Sequence, residues 1–140
     1  MKRIIFFLLF LGILNMFGCS KPSNPEAEAK ALTTAEAWLV LVDSGQYAES
    51  WDEAASFFRG AVPEEKWVEM MNAARKPFGK NISRKLKSEK YRTSVPGAPD
   101  GEYVIIQFKA SFENKKSAVE TITPMLDKDG TWRVSGYYMK

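Results

Sequence analysis

Apolar residues recur along this chain with two different periods, and the change between them divides it into a helical first part and a sheet-forming second part. Ala27, Ala31, Ala35, Trp38, Leu39 and Val42 fall at helical spacing and mark one side of an α-helix. Ser23-Asn24-Pro25 starts it, with Ser23 and Glu26 at capping-box spacing and proline tolerated in the first turn. Asp43-Ser44-Gly45 stops it. A second amphipathic segment carries Tyr47, Trp51, Ala54, Ala55 and Phe58 and ends at Gly60. A third opens at Pro63-Glu64-Glu65, where acids suit the positive helix end, and carries Trp67, Val68, Met71 and Ala74 until Pro77 and Gly79 finish it.

From Ile82 onward the period is two. Residues 82–94 predict a weak strand, because lysines and arginines dilute the alternation. After the turn-rich loop Pro96 to Gly101, Val104, Ile106, Phe108, Ala110 and Phe112 form an unbroken apolar face opposite Gln107, Lys109 and Ser111. Asn114-Lys115 leads into a strand from Ser117 to Leu126, whose end Pro124 demotes to an edge or a bulge. Asp127-Lys128-Asp129-Gly130 leads into a last strand from Thr131 to Met139, with Trp132, Val134 and Tyr138 alternating against Arg133, Ser135 and Tyr137. Short connections favour a meander. The expected fold is α+β, with N-terminal helices packed on one face of a curved antiparallel sheet of about four strands.

The first residues belong to neither part. Lys2 and Arg3 precede an apolar run from Ile4 to Leu14, the layout of a secretory signal. Eleven residues of helix rise about 16 Å, too little for a hydrocarbon core of about 30 Å. The run ends at Met16-Phe17-Gly18-Cys19, which resembles a bacterial lipobox, although Phe17 stands where a small residue is usual. The competing reading is an ordinary signal peptide cut after Ser20. The single cysteine of an exported chain has an obvious use as an acylation site and none in a disulfide, which favours the lipoprotein. The expected organisation is therefore a signal peptide over 1–18, an acylated Cys19 with a short linker over 19–25, and one α+β domain over 26–140. Ser20 rather than aspartate after the cysteine points to the outer membrane, with the domain facing the periplasm. Ser20 to Asn24 span about 17 Å when extended, so the domain would sit close to the bilayer.

Composition then removes whole classes of chemistry. The 45% hydrophobic and 26% charged content is that of a globular chain. Without Lys2 and Arg3 there remain 18 basic and 17 acidic residues, so the basic balance is weak evidence for an anionic partner, and no nucleic-acid partner is expected because export would remove the chain from nucleic acid. The chain has no histidine, which excludes Ser-His-Asp and Cys-His catalysis and histidine-containing metal sites. No metal or cofactor is expected.

Several landmarks group into a recognisable set. They include Ala37-Trp38-Leu39, Asp43-x-Gly45-x-Tyr47-x-x-Ser50-Trp51, Arg75-Lys76-Pro77-Phe78-Gly79, Pro99-Asp100-Gly101-x-Tyr103, Phe112-x-Asn114-Lys115, and Asp129-Gly130-x-Trp132-Arg133-Val134-x-Gly136-Tyr137-Tyr138. With Trp67, Arg84 and Glu120-Thr121 they resemble the exported bacterial family known only as domain of unknown function 4019, over most of residues 30–140. That resemblance brings no catalytic or binding residue with it. The helix-first order and the closing Asp-Gly-x-Trp-Arg strand are also similar to the nuclear-transport-factor-2-like cone. This implies helices folded over a curved sheet around a pocket, in a fold that hosts enzymes, binders and scaffolds alike.

Three constellations are candidates for chemistry. Glu120 shares a strand face with Ala118 and Ile122 and is expected in the interior, where it could act as a general acid or base beside Tyr103 or Tyr137, or form an ion pair with Arg84 or Arg133. A basic run that includes Lys80, Arg84, Lys85, Lys87 and Lys90 could meet an anionic envelope polymer or lipid, or simply protect an edge strand from aggregation. Trp38, Trp51, Trp67 and Trp132 could line a pocket or fill a core; Glu120, Tyr103, Arg133 and Trp51 form the expected pocket set. The leading expectation is a membrane-anchored, non-catalytic domain binding an envelope protein or small ligand. A small isomerase- or hydrolase-like enzyme using Glu120 is the alternative, and a basic surface reader the second.

Overall fold

The computed structural model describes residues 22–140; the signal-like segment and Cys19 lie outside them. The first helix, α1, spans Pro25–Asp43 and buries Ala27, Ala31, Ala35, Trp38, Leu39 and Val42, the stripe that the helical period marks. Its cap is Asn24 rather than Ser23: the Asn24 Oδ1 accepts the Ala27 N–H at 3.1 Å.

The second amphipathic segment is not one helix but two, α2 over Tyr47–Asp52 and α3 over Ser56–Ala61. The break falls where the backbone is needed elsewhere. Ala55 is extended, and its N–H donates to the Val134 carbonyl at 2.8 Å, while Ala54 and Ala55 pack with no exposed surface. Two small side chains let the backbone approach the sheet, and helical periodicity alone cannot register that. Asp127 then caps α3 from the far end of the chain, accepting the Ser56 N–H at 2.9 Å and the Ser56 hydroxyl at 2.7 Å.

Helix α4, Glu64–Ala74, buries Trp67 and Met71, but Ala74 is exposed and the face continues into Arg75. A 3₁₀ turn over Lys76–Phe78 and Gly79, at φ +76°, redirect the chain into the sheet. Strands β1 (Asn81–Arg92), β2 (Tyr103–Phe112), β3 (Lys115–Leu126) and β4 (Trp132–Met139) form an antiparallel meander in the order β1-β2-β3-β4. The sheet is curved and unclosed, and with its four helices the domain is α+β. Helix α1 lies across all four strands, so the main core forms between them from Leu39, Val42, Val104, Ile106, Phe108, Ile122 and Val134.

Pro124 sits at a bulge in the interior strand β3, not at an edge: the register shifts between Thr123↔Gly136 and Pro124↔Val134, leaving Ser135 unpaired. That extra residue reverses the alternation of β4. Val134 and Tyr137 face inward together, and Tyr138, expected inside with Trp132 and Val134, is 63% exposed. Among the described residues no helix is long and apolar enough to cross a membrane.

Candidate functional site

The inner face of β3 places Glu120 under the helices between Ala118 and Ile122, with no exposed surface. A carboxylate there must be matched by donors, since burying an unpaired charge costs several kcal/mol. Two elements supply them. From β1, Arg84 donates Nε to Glu120 Oε1 at 2.7 Å and Nη2 to Oε2 at 3.2 Å, and from β4 the Tyr137 hydroxyl donates to Oε2. Arg84 reaches onward to the end of α1, where Nη1 and Nη2 donate to Asp43 at 2.7 and 2.9 Å. Arg75, at the end of α4, joins the same Asp43 at 3.2 Å and donates Nη1 to the Gly79 carbonyl at 2.7 Å.

The result is a charge-balanced chain of two carboxylates and two guanidiniums spanning α1, α4, β1 and β3. Burial opposes the charge of Arg84, but its hydrogen bonds to Asp43 and Glu120 together outweigh that and hold its pKa above the ordinary value. Burial, reinforced by the Glu120 charge, pushes the Tyr137 hydroxyl upward, so it stays protonated and donates. Arg75 is 2% exposed; its guanidinium lies 4.5 Å from the centre of the Phe112 ring, and its Nε is buried with no hydrogen-bond partner.

The expected pocket set does not assemble. Tyr103 is fully buried at the opposite end of β2, donates its hydroxyl to the Pro99 carbonyl at 2.5 Å and packs with Ala55 and Met125. Arg133 pairs with Asp129 at 2.8 Å and Asp127 at 3.4 Å, not with Glu120. Trp51 is half-buried and donates its indole N–H to the Val62 carbonyl at 2.7 Å, with Arg59 over its ring at 5.9 Å. Of the two tyrosines considered, Tyr137 is the one beside Glu120. Trp38 and Trp67 are core residues whose indoles donate to the Ser50 carbonyl and hydroxyl at 2.8 and 3.0 Å, and Trp38 meets the Tyr137 ring edge-on at 5.3 Å.

Asp43 and Arg75 stand among the family landmarks, and Asp43 in the turn that stops the first helix, but neither is assigned from sequence as a partner in the Glu120 site. Arg75 carries a local signal for it: it follows Trp67 and Met71 at four-residue steps, a cation on an apolar helical stripe. Asp43 carries none for its ion pairs, because it looks like any residue of a helix-ending turn. Lys80, Lys85, Lys87 and Lys90 are exposed, whereas Arg84 is withdrawn from that surface into the ion pairs. Among the described residues no group of three or more histidine, cysteine or acidic side chains is placed to hold a metal.

One groove lies away from this ion-paired centre. It measures about 440 Å³ and runs between α1 and the start of β4, with Thr34, Trp38, Leu41 and Trp132 on its walls and Glu53 and Arg133 among its lining. Its volume is that of a small-ligand cleft.

Helices laid over an open antiparallel meander, locked by a buried ion-pair chain, define the class: an α+β domain with a charge-paired polar centre. The chain belongs to the family described as "Protein of unknown function (DUF4019)", whose model matches residues 34–137. Comparison with curated proteins and with solved structures found no match.

Proposed function

We propose that this protein is a lipid-anchored envelope domain that binds its ligand without transforming it, and that the groove between α1 and β4 is where binding occurs. The observation that carries the non-catalytic reading is the state of Glu120. Both of its oxygens are engaged, by a guanidinium on one side and a phenol on the other, and no surface of it is exposed. A general acid or base must lie within reach of a substrate proton. Glu120, covered on every side, lies out of that reach, and it serves as the centre of a clamp.

The groove supports binding by different means. It sets indole and aliphatic surface beside the exposed Glu53 carboxylate and the Arg133 guanidinium that Asp129 also holds, the mixture that holds an apolar ligand and orients its polar end. The anchor rests on the sequence pattern ending at Cys19 and fits a domain carried at the envelope surface.

Nile red, a neutral apolar fluorophore, tests the groove. The domain should enhance its emission, and Leu41→Arg, which fills the groove from the half-buried face of α1, should abolish the enhancement while leaving the melting temperature unchanged. Enhancement that survives Leu41→Arg would remove the groove from the account, and hydrolysis or isomerisation of any substrate that disappears in Glu120→Gln with folding intact would replace binding by catalysis.

A further inference from the structure

The four strands contain only two acidic residues, Glu89 and Glu120, and both face the helices: they pair across the sheet with Ile106 and Phe108, on the buried side. The other side of the sheet therefore carries no carboxylate from any strand. It carries Lys85 and Lys90 from β1 and Lys109 from β2, with Lys140 continuing β4 beside Val119. These four lysines are exposed, and among the described residues none lies within ion-pairing distance of a carboxylate.

Lys85 and Lys109 stand directly opposite one another in the β1–β2 ladder. Like charges in that position destabilise a sheet, and a bound anion would relieve the repulsion. Around the pair is a shallow depression of about 400 Å³ lined by Ser83, Ser111, Ser117 and Lys116, all donors suited to phosphate oxygens. On the same face Tyr138, turned outward by the β4 bulge, presents an aromatic ring with a polar tip, the side-chain type favoured where water meets lipid. The helical layer has the opposite character, with Glu26, Glu28, Glu36, Glu64, Glu65 and Glu69 on α1 and α4.

We propose that the helix-free face of the sheet is a docking surface for an anionic phospholipid bilayer, which lays the four strands along the headgroups and turns the acidic helices away. A broad face of lysines and hydroxyls suits many headgroups at once rather than a single ligand. This deepens the envelope reading and rests on it only for bringing the bilayer within reach.

The test uses the chain from Ser20 onward, which retains the whole core between Ala27 and Val134 and lacks any anchor. In sedimentation it should bind phosphatidylcholine vesicles that contain phosphatidylglycerol, leave pure phosphatidylcholine vesicles alone, and let go as salt rises. Lys85→Ala with Lys109→Ala should weaken binding about 25-fold, about fivefold per lysine, without lowering the melting temperature. Lys30→Ala with Lys66→Ala, on the helical layer, should change nothing. Equal binding to both vesicle types, indifference to the Lys85 and Lys109 changes, or tighter binding to soluble polyphosphate than to vesicles would overturn the proposal. The anchor is read separately, by the mass of the membrane-extracted N-terminus. An acylated Cys19 on a domain that ignores anionic vesicles sinks the docking face alone, and an unmodified Cys19 on one that binds them sinks the anchor alone.

Discussion

Asp127 shows how much one side chain can decide. It accepts hydrogen bonds from the Ser56 hydroxyl, the Ser56 N–H and the Lys128 N–H, and it lies near Arg133. These donors, the Ser56 hydroxyl foremost, hold its carboxyl down at about 2 even though burial pulls the other way. An unfolded aspartate titrates near about 3.9. The stabilisation is therefore fully present above that value and is lost as pH falls through about 2. Asp127→Asn should cost about 1 kcal/mol at neutral pH and flatten the acid limb of the stability curve, measured by urea unfolding across a pH series. An unchanged slope between about pH 4 and pH 2 would show that the cap is not made. In the sequence Asp127 is legible only as a turn residue, because its partner lies 71 positions earlier and no local pattern encodes that pairing.

At the scale of elements, period and turn chemistry recovered α1, α4 and the three later strands to within a residue or two of their ends. They failed where one residue serves tertiary contact instead of repetition. Ala55 leaves the helix to bond with β4, splitting α2 from α3, and Ser135 slips the register so that Tyr137 and Tyr138 exchange sides. A one-residue shift reverses every later side chain, so a strand read by strict alternation is wrong beyond its bulge. The elbow from α4 into β1 gives a quantitative check. Gly79 and Gly45 both have φ near +75°, but a Cβ on Gly79 would stand 3.0 Å from Glu113 Oε2 and 3.2 Å from Asn114 Nδ2, while one on Gly45 meets nothing. Gly45→Ala should cost about 1 kcal/mol of left-handed strain, and Gly79→Ala measurably more, about 2 kcal/mol or above. Equal losses in thermal unfolding would mean that the β2–β3 turn yields without resistance.

Across the whole molecule the chain Arg75–Asp43–Arg84–Glu120–Tyr137 joins the ends of two helices to three of the four strands. Glu120→Gln removes one charge and strands another, and it should cost about 3–5 kcal/mol in denaturant unfolding. Replacing Glu120 by Leu together with Arg84→Met should recover much of that loss, since apolar substitutes need no pairing. If the double change is as damaging as the sum of its parts, Glu120 and Arg84 are not coupled. The burial of Glu120 could be read from its strand face, and so could the balance of charge; the chain of partners could not, because it is assembled from residues scattered between positions 43 and 137. That scatter bears on how the polypeptide is made. Among the described elements helix α1 is made before the sheet, yet Val134 and Tyr137 of β4 close over it, so its inner face stays uncovered until β4 is in place. A core shared by an early helix and a late strand therefore sets in one step rather than piece by piece.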